Sequence, residues 1–224
     1  MSISTDRKRS GTRRAVGVYA GLTLDRIIEA ARSLDPDALT MQALAQELGV
    51  DRKALNHHVS DRDTLLALVA MDAFSERFSS VDITEPATWQ DACRNYAQGF
   101  TVSAVATGSL AEHIRLTDAY VTDVLDPTEA VLAKMVAAGF SDENAMRSLS
   151  LLTNICLAYA RDAVLQARSG VSARTMILRG ALEKRDRSAY PTLSRIAELP
   201  VTTYDRRQLE LSVDICISGA ERLL

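Results

Sequence analysis

The sequence has little that bends or cross-links a chain. Among 224 residues there are 10 glycines, 5 prolines and 3 cysteines, and only 5% are aromatic. Cys93, Cys156 and Cys216 are odd in number and far apart in sequence, which excludes a disulfide framework and a zinc motif and reads as reduced, buried thiols. No uncharged apolar run approaches the ~18–20 residues of a membrane-spanning helix. The first twenty residues carry charges but no apolar stretch, so no secretory signal and no membrane partner are expected, and the location is expected to be cytoplasmic. A glycine-rich phosphate loop, a nucleophile elbow and spaced metal ligands are also missing, which argues against an enzyme. Alternating β-branched stretches are nearly absent.

What is present is helical periodicity. Apolar residues recur at three- and four-residue spacing along most of the chain, so the fold class is all-α. A first helix is expected from Thr23, burying Leu24, Ile27, Ile28, Ala31 and Leu34 and ending at Asp35-Pro36-Asp37. Thr40 caps a short second helix through Leu48, Gly49 takes the left-handed position after it, and Asp51 caps a third helix reaching Val59. Ser60-Asp61-Arg62-Asp63 opens a fourth helix carrying Leu65, Leu66, Leu68, Val69, Phe74 and Phe78. Later helices are expected from Pro86, from the Asp126-Pro127-Thr128-Glu129 start to Gly139, from Ser141 to Gly170, from Tyr190 to Leu199 and from Tyr204 to Leu224, with residues 171–190 read as a charged stretch.

The net charge of −3 is unevenly spread. Arg7, Lys8, Arg9, Arg13 and Arg14 stand against a single Asp6 near the start, while the rest of the chain is acidic. Residues 1–20 thus read as a flexible basic arm, suited either to a polyanion partner or to mere solubility.

Residues 40–59, TMQALAQELGVDRKALNHHV, hold two short helices joined by Gly49-Val50-Asp51. That is a helix-turn-helix, in which the first helix braces a second that enters the DNA major groove. The third helix has few core residues but many outward donors. Candidate DNA-binding residues are Thr40, Gln42, Arg52, Lys53, Asn56, His57, His58 and Arg62. Asparagine can pair with adenine and arginine with guanine through two bonds each. His57 and His58 point ~100° apart on a helix and cannot chelate a metal together. A helical hairpin with a solvated polar face is the plainer alternative.

The run Thr23-Leu24-Asp25-Arg26-Ile27-Ile28-Glu29-Ala30-Ala31, the segment Leu39 to Val50 and Asp61-Arg62-Asp63-Thr64-Leu65-Leu66 resemble the tetracycline-repressor family of bacterial regulators. Trp89-Gln90-Asp91, Arg94-Asn95, Gly139-Phe140-Ser141 and Ile217-Ser218-Gly219-Ala220-Glu221 extend the resemblance more loosely into the second half. It implies an N-terminal three-helix DNA-binding domain over 21–67 and a larger helical ligand-binding and dimerisation domain over 68–224. Asn56 and His57 depart from the aromatic pair usual in the recognition helix, and Arg62 stands where the family has a phosphate-binding lysine.

By position, the resemblance implies ligand contacts at Phe78, Tyr96, Phe100, His113, Thr117, Asn154 and Asp162. Phe78 and Tyr96 replace polar drug contacts, Asp118-Ala119 replaces an arginine-proline turn, and His113 lies one residue out of register with a metal-binding histidine. The resemblance therefore implies a repressor that binds a palindromic double-stranded operator as a homodimer. Its inducer would be an aromatic or polycyclic small molecule other than tetracycline, with no metal and no other cofactor. An architectural DNA-binding protein without an inducer stands as an alternative, and so, less well supported, does a helical enzyme, for which Glu112 and His113 are too thin a constellation for acid–base work.

Overall fold

Thr23 opens the first helix by accepting a hydrogen bond from the Arg26 amide at 3.3 Å. The same device recurs along the chain. Thr40 accepts from the Ala43 amide, Asp51 from Lys53, Thr88 from Asp91 and Asp205 from Gln208. Each side-chain oxygen satisfies a helix N–H that has no partner within its own helix. The computed structural model describes residues 21–115, 122–169, 173–199 and 205–224. Among these residues there are helices and turns but no strand. The basic arm and Thr117-Asp118-Ala119 lie outside the described residues.

The chain divides into two compact units, Met1–Arg62 and Asp63–Leu224. The first holds α1 (Leu24–Arg32), α2 (Met41–Glu47) and α3 (Arg52–Asn56). Its core is Ile27, Ile28, Ala31, Leu39, Leu44, Ala45, Leu55 and Val59. Gly49 takes a φ of +65° after α2, which a side chain would oppose. The α3 helix stops at Asn56, short of the expected Val59, and His57 and His58 form a closing turn. Leu24, Leu34 and Leu48, expected inward, are half-buried.

The second unit comprises most of α4 (Arg62–Phe78), α5 (Trp89–Ala106), α6 (Leu125–Ala137), α7 (Asp142–Ser169), α8 (Ala173–Glu183), α9 (Pro191–Ala197) and α10 (Arg206–Ala220). The division after Arg62 falls before the boundary of 67 read from the sequence. The reason is the apolar payload of α4, since Phe74 and Phe78 pack on aromatic rings of α5.

Three further element boundaries differ from expectation. The fifth helix begins at Trp89, capped by Thr88, and not at Pro86. The sixth begins at Leu125, because the 3-10 turn Thr122–Val124 runs straight into it. Pro127 then falls in the first turn, where its missing N–H costs nothing. Residues 173–183, read from the sequence as part of a charged stretch, form α8. Around α7 the second unit is a layered bundle, with α5, α6 and α10 packed against it. Arg94 of α5 reaches Asp91 at 3.1 Å and Asp214 of α10 at 3.1 Å, joining the two helices at their rim.

Candidate DNA interface and ligand site

The first unit concentrates its polar side chains on one short helix. Ala54, Leu55 and Val59 are buried, while Arg52, Lys53, Asn56, His57 and His58 are exposed. Thr40 and Gln42, at the start of α2, are exposed as well. Thr40 uses its oxygen to accept from Ala43 at 3.1 Å, so its O–H remains a donor. Asp51 caps α3, its carboxylate accepting from the Lys53 amide at 2.7 Å. Arg62 is placed differently from a free phosphate ligand. Its Nε donates to the Leu39 carbonyl at 2.7 Å, and Nη2 makes a longer 3.5 Å contact with the Pro36 carbonyl.

The second unit brings Phe78, Tyr96 and Phe100 together, three of the residues proposed for ligand contact. Phe74 joins them. Ring centroids are 5.1 Å apart for Phe74–Phe78, 4.7 Å for Phe74–Phe100, 5.2 Å for Phe78–Tyr96 and 5.3 Å for Phe78–Phe100. Most of these pairs are tilted or edge-on, the arrangement that ring quadrupoles favour. The cluster has one polar end. Tyr96 Oη lies 3.1 Å from Thr153 Oγ1 of α7, and both residues are buried. Burial pushes the Tyr96 hydroxyl up to about 12, against the smaller opposing effect of hydrogen bonds to Thr153 and Thr128.

The remaining ligand candidates do not join this cluster in the same way. Asn154 sits on the exposed side of α7. His113 is half-buried in the 3-10 turn Gly108–His113, with Nε2 3.7 Å from Glu112. Asp162 is half-buried near the C-terminal end of α7, and Thr117 lies outside the described residues. Among the described residues no group of three His, Cys, Asp or Glu side chains is placed to hold a metal ion.

Sequence reasoning missed Phe74, Thr128 and Thr153 as members of the cluster. The signal for Thr153 was available. It falls on the stripe of Leu149, Leu152, Cys156 and Ala160, all buried, whereas Asn154 is rotated off it.

The three thiols converge at the α5, α7 and α10 packing. Burial pushes Cys93 and Cys156 up to about 12, and Cys216 adds to the rise of both. Along the outer side of α7 and α10 runs an apolar groove lined by Leu151, Ile155, Ile215, Cys216, Gly219 and Leu223. Leu151 is 53% exposed and Ile215 63%.

A helix-turn-helix unit joined to a larger helical unit with an aromatic core defines a DNA-binding regulator of the two-domain, all-α class. Residues 84–224 match the tetracyclin repressor-like C-terminal domain, and the chain belongs to that family of transcriptional regulators. It is a regulator and not an enzyme. Its relatives make it, in general, a ligand-responsive transcriptional repressor.

Among solved structures, the TetR family protein ActR of Streptomyces coelicolor in complex with actinorhodin is 29% identical. That match covers 90% of this chain and 96% of ActR, with a TM-score of 0.67. ActR with (S)-DNPA is 28% identical over 90% and 98% of the two chains, with a TM-score of 0.69. A TetR variant of Acinetobacter baumannii with minocycline is 20% identical over 91% and 98%, with a TM-score of 0.58, and shares the fold. No curated protein matches the sequence. Among the described residues no helix is long and apolar enough to cross a membrane.

Proposed function

We propose that this regulator represses transcription from a palindromic operator as a homodimer and is released by a ring-containing, largely apolar small molecule other than tetracycline. The observation that carries the DNA reading is the division of labour on α3. Two apolar anchors, Ala54 and Leu55, hold the helix, and the polar side chains from Arg52 to His58 face outward. Arg52, Asn56 and His57 read base edges, and Lys53, His58, Thr40 and Gln42 meet the backbone or flanking bases. The basic arm adds sequence-independent affinity.

The ligand reading rests on the aromatic cluster of α4 and α5. Its rings supply flat apolar walls, and the Tyr96–Thr153 pair supplies a polar group that orients a ligand. ActR, similar along nearly its whole length, is known with actinorhodin and with (S)-DNPA bound, which supports a non-tetracycline inducer here. A ligand acts on the operator only if it binds the DNA-competent and released states with different affinity. The apolar groove of α7 and α10 supports the dimer, since a second copy would cover it.

The test begins with a duplex enriched by the protein from a random-sequence pool. A repressor prefers it over random DNA by ~10³-fold or more. Asn56→Ala should cost ~1–3 kcal/mol on that duplex and relax one base position. Polycyclic aromatic compounds are then screened for release of the duplex and for thermal stabilisation of the protein. Release by tetracycline with magnesium, abolished in His113→Ala, would overturn the ligand reading.

A further inference from the structure

We propose that Arg62 serves DNA binding as a positioning residue: its guanidinium clamps the turn that leads into α2 and thereby sets Thr40 and Gln42 against the phosphate backbone. The turn between α1 and α2 carries short-range bonds of its own. Ala38 N donates to Asp35 O at 3.0 Å, Leu39 N to Pro36 O at 3.4 Å, and Asp37 N to the Asp35 carboxylate at 2.9 Å. Arg62, 23 residues further along the chain, ties the turn from outside.

The position of the stronger bond gives the clamp its effect. Leu39 O belongs to the same rigid peptide plane as the Thr40 N–H. A 2.7 Å bond to that oxygen therefore fixes the plane from which Thr40 starts. Thr40 is the cap of α2, and its extended backbone, with φ −129° and ψ 156°, aims its hydroxyl at the Ala43 amide. The Leu39 side chain is buried, so the plane is held by apolar packing on one side and by a charged donor on the other. A bond to a charged donor is stronger than one between neutral groups.

The chemistry separates this role from a phosphate contact. The clamp uses Nε, a donor part-way along the side chain. Lysine keeps the positive charge but has a methylene at that point, so it cannot donate there. A phosphate contact needs the charge, whereas a clamp needs the fork.

The inference rests on α2 and α3 being the DNA interface. Wild-type enrichment of a preferred duplex from a random pool tests that reading, and the variants test the clamp. On the enriched duplex, Arg62→Lys and Arg62→Met should both weaken binding about tenfold, with the slope of log affinity against log salt unchanged. Thr40→Ala should weaken the wild type but add little to Arg62→Lys, because the clamp acts through Thr40.

A phosphate contact gives the opposite pattern. Arg62→Lys would bind like wild type, and Arg62→Met would flatten the salt slope by ~0.9. A merely structural role would lower the melting temperature of Arg62→Lys and leave the Thr40 and Arg62 effects multiplicative. Either pattern would overturn the proposal.

Discussion

The hydroxyl of Tyr96 lies 3.1 Å from that of Thr153, and Thr153 in turn donates to the Leu149 carbonyl one helical turn back at 2.9 Å. Tyr96 comes from α5 and Thr153 from α7, so the pair gives the aromatic cluster its polar end and links two central helices. A buried hydroxyl that loses its partner keeps its desolvation penalty. Thr153→Val should therefore destabilise the second unit by ~1–2 kcal/mol, and Tyr96→Phe by less, because Thr153 retains its bond to Leu149. Urea unfolding followed through Trp89, the single tryptophan, measures both. Equal or reversed costs would show that the pair is not the polar anchor of the cluster.

Alkaline pH should weaken the fold through the same core. Unfolded thiols lose their protons near 9.0, whereas Cys93 and Cys156 in the fold hold theirs to about 12. Tyr96 shifts likewise from 10.0 to about 12. Between pH 9 and 12 the unfolded state binds fewer protons than the native one, so stability falls as pH rises. Below pH 9 these groups are protonated in both states and contribute no slope. Melting temperatures across this window should decline, and less steeply in Cys156→Ala. A variant curve parallel to that of the wild type would remove the thiol from the account.

Gly99 offers a sharp packing test. In a helix interior, alanine normally stabilises relative to glycine by ~0.5–1 kcal/mol. Here a Cβ at position 99 would lie 2.5 Å from Val81 Cγ1 and 3.1 Å from Val81 Cβ. Valine is branched at Cβ and cannot swing clear. Gly99→Ala should therefore destabilise, and Val81→Ala in the same chain should recover most of the loss. A stabilised single variant in thermal unfolding would contradict the close approach of the α4–α5 loop to α5.

Homodimerisation through the outer face of α7 and α10 predicts a species of twice 24.4 kDa in sedimentation at micromolar concentration. Ile215→Glu places a charge on a side chain that is 63% exposed in the single chain, so it should spare the fold and shift the mass towards 24.4 kDa. A wild-type chain that sediments at 24.4 kDa would remove the dimer.

Local chemistry determined the elements, and it was legible in the sequence. Thr23, Thr40 and Asp51 act as the caps their side chains suggest, and Gly49 takes the positive φ that follows α2. The inward pattern of Ile27, Leu44 and Leu55 and the outward one of Arg52, Lys53 and Asn56 follow from helical spacing alone. These features depend on groups within a turn or two of one another, so composition and order suffice.

Tertiary contacts decided the rest. That Thr153 rather than Asn154 faces Tyr96 depends on which side of α7 meets α5. That α4 sorts with the second unit depends on where Phe74 and Phe78 find other rings. That the Arg62 guanidinium holds Leu39 depends on a bond across 23 residues, and residue order by itself carries no geometry over that span.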